Sequence, residues 1–129
     1  MRTRIAHLAT IGTNNSGNAI VEFAIVLPVF LFLIFGVFNI ALMLFASASM
    51  QNATQAGARC ASINSATCGS AAATVAYAQT KFVASSTARP AFTVTTAACG
   101  HLVSANMNYV FDIGVTHYSV PLTSTSCYP

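Results

Sequence analysis

The alternation of polar and apolar positions divides this chain into three parts. Residues 1–16 mix Arg2, Arg4, His7, Thr10, Asn14 and Asn15 with apolar residues at no fixed period. From Phe23 to Ala46 no charged side chain occurs, and nearly every residue is apolar. A helix rises about 1.5 Å per residue, so this run is roughly 36 Å long, against about 30 Å for the hydrocarbon core of a bilayer. The run therefore predicts one membrane-spanning helix with some tilt. Glu22 stands one residue ahead of it. A carboxylate at that edge is costly in lipid without a partner, which makes Glu22 a candidate functional residue. Pro28 removes a helix hydrogen bond and predicts a kink near Ala24. Gly36 admits a neighbouring helix closely, and Asn39 can hydrogen-bond across a helix pair. Ordinary membrane-helix composition accounts for Gly36 and Asn39 equally well.

Beyond Ala46 the helical period continues but its character changes. Ala46, Ser49, Ala53, Ala56, Gly57 and Cys60 recur at spacings of three and four, a stripe of small residues on one helical face. Ser47, Gln51, Asn52, Gln55 and Arg59 make the remainder polar. The pattern predicts a stem helix that leaves the bilayer near Ala46 and runs on in water to Ala61. Ser62 to Gly69 reads as a turn segment. Ser70 to Ser85 reads as a second helix, with Ser70 as N-cap and Val75, Tyr77, Ala78, Phe82 and Val83 as its buried face. Three strands follow. Phe92, Val94 and Thr96 alternate with Thr93, Thr95 and Ala97, and Cys99-Gly100 makes a turn. Val103, Met107, Tyr109, Phe111 and Ile113 occupy odd positions from Leu102 to Ile113. The last strand, Thr116 to Thr123, contains Pro121, which suits an edge or a strand paired only in its early part. The fold class is α+β: a long N-terminal transmembrane stem helix, and a small head of one further helix with a three-stranded, mainly antiparallel sheet.

Composition sharpens this picture. The 129 residues are 55% hydrophobic and only 5% charged, where soluble domains carry about a quarter charged residues. The net charge of +3 is scattered, with no basic stripe interleaved with aromatics, which sets nucleic acid aside. Arg2 and Arg4 precede the span, so the positive-inside bias places the N-terminus in the cytoplasm and the head outside. About 80 residues remain for that head, a size that wants covalent staples. Four cysteines, Cys60, Cys68, Cys99 and Cys127, all lie beyond the span. An even number in a small extracytoplasmic head predicts two disulfides, with three possible pairings. The favoured pairing joins Cys60 to Cys68 and Cys99 to Cys127. A zinc site is the competing reading, but no Cys-x-x-Cys pair is present.

The string Gly17-Asn18-Ala19-Ile20-Val21-Glu22-Phe23 opening a long hydrophobic helix resembles the processing signal of type IV pilin-like proteins. With Ala24 to Pro28 and the later Gln55-Ala56-Gly57-Ala58-Arg59, the stretch from about residue 15 to 63 resembles the TadE-like family. Those are pilin-like components of the Tad (tight adherence, Flp) pilus system. The resemblance implies residues 1–17 as a cytoplasmic leader removed by a prepilin peptidase after Gly17. The stem is then residues 18–61, with its membrane part at 23–46, and the head is 62–129. It further implies a bacterial inner-membrane protein that packs with other TadE-like or TadF-like subunits, in the assembly or structure of an adhesive pilus. Gly17, Asn18, Glu22 and Phe23 are the expected processing residues. Glu22, Pro28, Gly36 and Asn39 are the expected assembly residues.

Two other readings stay open. One is an uncleaved, single-span membrane-anchored binding module. The other is a secreted disulfide-bonded domain released after Ala46-Ser47-Ala48, an Ala-x-Ala pattern, although the apolar run is longer than a signal peptide's. Enzymatic chemistry finds no support in the sequence. His7, His101, His117 and Asp112 show no spacing that fits a catalytic set, and there is no phosphate loop, paired carboxylate or cofactor motif. No cofactor, metal or small-molecule substrate is expected.

Overall fold

The computed structural model describes residues 15–84, 89–112 and 116–129. They form α1 (Asn15–Ile63), α2 (Ser65–Cys68), α3 (Ala71–Lys81), β1 (Ala91–Ala97), β2 (Gly100–Asp112) and β3 (His117–Tyr128), an α+β fold. The chain divides into two compact units, one ending at Phe38 and one running from Asn39 to Pro129. The leader expected at 1–17 lies outside the described residues except for its last three positions.

In the first unit the described residues all belong to α1. Every residue from 19 to 38 is exposed. The portion Ala19–Ile63 is long and apolar enough to cross a membrane by length and composition, with a mean hydropathy of 2.7 in its most apolar window. None of that window is buried, unlike the core helix of a soluble protein. Pro28 falls within α1, and the helical span is unbroken there.

In the second unit, residues 39–63 of α1 cover one face of the sheet. Met50, Ala53 and Ala58 share a core with Ala78 of α3, Phe92 of β1, and Val103, Ala105 and Met107 of β2. Small side chains allow this close approach. A Cβ placed on Gly57 would lie 3.1 Å from Cβ of Ala78 and 3.6 Å from Cγ1 of Val103. Ala46, Ser49, Ala53, Gly57 and Cys60 are buried as the small-residue stripe predicts, and Ala56 is half-buried. The buried face is wider than that stripe, because Met50, Thr54 and Ala58 lie beside it.

The sheet has the order β1-β2-β3, with both pairs antiparallel. Alternate residues of β2, Val103, Ala105 and Met107, are buried beneath α1, while Asn106 and Asn108 on the other face are exposed. Gly100 has φ +113°, and a side chain there would collide with the Tyr128 carbonyl, so glycine is required where the β1–β2 turn meets the end of β3. Pro121 sits opposite Asn108 on the outer strand β3, where a missing N–H is tolerated.

Several boundaries differ from expectation. Helix α1 ends at Ile63 rather than Ala61, and Asn64 N–H still donates to the Cys60 carbonyl at 2.9 Å. The segment read as a turn holds the single-turn α2, capped by Asn64, whose Oδ1 accepts from Thr67 N–H at 3.1 Å. Helix α3 stops at Lys81, and the expected end at Ser85 lies outside the described residues. Val83 is 71% exposed and so is not part of a buried helix face. Strand β1 ends at Ala97, one residue early. Strand β2 starts at Gly100, and the expected Ile113 falls outside the described residues. Strand β3 runs on to Tyr128, pairing with β2 along its whole length rather than only early. Its polar end, Ser124 to Ser126, lies beyond the expected end at Thr123, and Ser124 is held beneath α1.

Candidate functional site

The expected processing and assembly residues all lie on α1. Gly17 is exposed, and no atom falls within 4 Å of a Cβ built there. The Gly17–Asn18 bond lies within the helical span. Glu22 is exposed and Phe23 is 63% exposed. Glu22 and Phe23 therefore open a helical surface that is exposed through residue 38. Pro28 and Gly36 are exposed on it, and a Cβ on Gly36 would also meet nothing within 4 Å. Asn39 is half-buried. An unbroken apolar helix surface of this length has two stable environments, lipid or other helices.

The second half of α1 is bound to the head by polar contacts that hydrophobic periodicity does not reveal. Ser49 Oγ accepts from Val83 N–H at 2.9 Å. Thr54 Oγ1 and Ser124 Oγ are 3.0 Å apart, and both residues are buried. Ser62 Oγ donates to the Tyr128 carbonyl at 3.0 Å. Sequence reasoning missed Met50, Thr54 and Ser124. The signal for Met50, Thr54 and Ala58 was their own spacing of four, parallel to the small-residue stripe. Nothing in the local sequence marks Ser124.

Two disulfides close the head. Cys60 is bonded to Cys68 and Cys99 to Cys127, with Cα–Cα distances of 5.7 and 6.1 Å. The first ties the end of α1 to α2. The second ties the β1–β2 turn to the end of β3, beside the Leu102–Cys127 register pair.

A cleft of about 150 Å³ lies between the α2–α3 junction and β1, lined in part by Gly69, Ser70, Thr74, Thr95 and His101. Two of its hydroxyls are engaged with the backbone. Ser70 Oγ accepts from Ala73 N–H as the α3 cap, and Thr74 Oγ1 contacts the Cys68 and Ser70 carbonyls at 3.2 and 3.0 Å. Among the described residues no group of three or more His, Cys, Asp or Glu side chains is placed to hold a metal ion. The feature with functional content is therefore α1 itself.

No curated protein matches this chain, and no solved structure matches it. A family model described as TadE-like protein matches residues 17–59, from the candidate processing glycine to Arg59 within the covered part of α1. Over that stem segment, a third of its length, the chain is similar to TadE-like proteins.

Proposed function

We propose that this chain is a pilin-like component of a Tad-type pilus system, anchored in the bacterial inner membrane by α1. The observation that carries this reading is the TadE-like match over residues 17–59, on a helix whose residues 19–38 are all exposed. That surface needs lipid or the helices of other pilin-like subunits to cover it. The head lies on the periplasmic or extracellular side. Arg2 and Arg4 ahead of the span favour a cytoplasmic N-terminus, and two disulfides favour an oxidising compartment for the head. The two observations are independent and give the same orientation.

Maturation proceeds by a prepilin peptidase that cuts after Gly17 on the cytoplasmic face and leaves Asn18 as the new N-terminus. A side-chain-free residue before the cut, exposed and uncrowded, supports this. The mature subunit then serves in assembly or structure of the adhesive fibre, with Glu22, Pro28, Gly36 and Asn39 on the packing helix. The secreted alternative is disfavoured by Ala46-Ser47-Ala48. That tripeptide lies inside α1, and Ala46 is only 1% exposed, so a cut there would open a packed helix. Intact mass and N-terminal peptide mapping of membrane-extracted protein test all readings. Asn18 as first residue supports processing, Met1 supports an uncleaved anchor, and Ser49 supports secretion.

A further inference from the structure

We propose that the head has a membrane-facing rim, formed by Tyr118 and Val110 at the far end of the β2–β3 hairpin, which rests in the headgroup region of a lipid bilayer. This rests on the reading of α1 as a membrane span.

The height of this rim follows from two contacts between α1 and β3. Thr54 meets Ser124, and Ser62 meets Tyr128. Eight helical residues rise about 12 Å and four strand residues about 13 Å, so helix and strand run alongside each other in the same direction. Stepping back by the same amount from Thr54 and Ser124 brings Val120 level with Ala46. Two further strand residues bring Tyr118 level with Leu42. The Val110–Ser119 register pair lies between them. The hairpin end therefore flanks the last turns of the apolar run of α1, within the same compact unit. Burial along α1 agrees. The covered stripe continues from Met50 through the buried Ala46 to the half-buried Met43 and Asn39, while Leu44 and Phe45 stay 59% and 53% exposed. Val83, whose N–H donates to Ser49, stands higher, about 10 Å beyond Leu42 along α1.

The chemistry changes at this height. Higher on the sheet, the outer face presents Asn106, Asn108, Thr123 and Thr125, all polar and exposed. At the rim, Tyr118 on the α1 side of the sheet is 67% exposed and Val110 on the outer face 48%. On the same face as Tyr118, its register partner Phe111 packs edge to face with Tyr109, with centroids 5.0 Å apart. Exposed apolar and tyrosine side chains, level with the point where a helix leaves lipid, match the aromatic belt of membrane proteins. A bilayer surface is the occupant that this height selects, since lipid must surround α1 there.

The chain contains no tryptophan, so single tryptophans report position without background. Full-length Tyr118→Trp, Tyr128→Trp and Phe30→Trp proteins are reconstituted in phosphatidylcholine vesicles containing lipids brominated at shallow or deep acyl positions. Tyr118→Trp is expected to shift its emission to the blue and to lose intensity in shallow-brominated lipid. Tyr128→Trp, level with Ser62 and about 24 Å beyond Ala46, should keep its intensity. Phe30→Trp should be quenched by the deep bromines. If Phe30→Trp is quenched and Tyr118→Trp is not, the rim proposal is overturned and the span stands. If neither is quenched, the span reading fails and the rim proposal with it. A blue shift of Tyr118→Trp that grows with protein density without bromine quenching identifies a subunit contact, and also overturns the proposal.

Discussion

Thr54 Oγ1 and Ser124 Oγ lie 3.0 Å apart in the buried seam between α1 and β3, seventy residues apart in sequence. Thr54 Oγ1 also donates to the Gln51 carbonyl at 2.8 Å. Its proton is therefore engaged, and Ser124 is the natural donor across the seam. Replacing Thr54 by Val keeps the shape and leaves the Ser124 hydroxyl buried without its acceptor. A buried orphan of this kind costs about 1–3 kcal/mol. Thr54→Val should lower the unfolding free energy of the full chain in detergent by that amount, read from urea titration. Thr54→Val with Ser124→Ala should recover part of the loss, because both polar partners are then absent. Strictly additive losses would show that the pair is not coupled.

Gly57 and Gly36 provide a contrast along the same helix. A Cβ at Gly57 would press on Ala78 and Val103, whereas one at Gly36 would meet nothing within 4 Å. Gly57→Leu should overpack the seam and destabilise the head by roughly 1–3 kcal/mol or more. Gly36→Leu should leave the same unfolding transition unchanged. On the assembly reading, Gly36→Leu should instead reduce co-purification with partner subunits. Equal unfolding midpoints for the two variants would contradict the packing described for Gly57.

The two disulfides should differ in weight. Cys99–Cys127 links residues 28 apart and Cys60–Cys68 residues 8 apart. Loop-closure entropy assigns about 3.6 kcal/mol to the longer link and about 2.5 kcal/mol to the shorter. Replacing Cys99 and Cys127 together by Ala should therefore lower stability more than replacing Cys60 and Cys68. Comparing the thermal midpoints of the two double variants checks the order.

The readable parts of this fold were those written in local periods. The unbroken apolar run from Phe23 gave the stem, the small-residue spacing from Ala46 to Cys60 gave its covered face, and Ser70 gave the α3 cap. The cysteines were legible because spacing and chain topology favoured one pairing, which is the one the head contains. Tertiary contacts overrode local signals elsewhere. Ser124 to Ser126 lies beyond the expected strand end at Thr123, yet it completes β3 because α1 supplies Thr54 as a partner and β2 supplies the ladder. Val83 has the right spacing for a helix face, but α3 ends two residues earlier and its N–H turns to Ser49. At the candidate site, Gly17 was visible only through resemblance to a processing motif, whereas Glu22 was marked by its charge at the edge of the apolar run.

The Gly17 assignment makes a separate prediction. If the residue before the cut must carry no side chain, Gly17→Val should accumulate as full-length precursor in the membrane fraction. Its helix would be unharmed, because a Cβ at Gly17 meets nothing within 4 Å. Recovery of protein beginning at Asn18 from this variant would place the cut elsewhere.

Glu22 carries the most specific expectation. It is exposed, at the opening of an apolar helix surface. Cleavage after Gly17 would create an α-amino group at Asn18, four residues before Glu22 and one helical turn away. A lone carboxylate in lipid is expensive, and pairing with an ammonium offsets much of that penalty. The amine can come from the same subunit or from a neighbour in a bundle. A subunit whose Glu22 meets a neighbour's amine is held at one axial position, so the pair would set the register of assembly. Glu22→Gln keeps the shape and removes the charge. It should be cleaved and inserted normally, shown by an unchanged N-terminus and membrane fractionation. It should fail to co-purify with pilin-like partners or to support pilus formation. Fibres formed at the normal level by Glu22→Gln would reduce Glu22 to a marker of the membrane boundary, resting solvated among the headgroups.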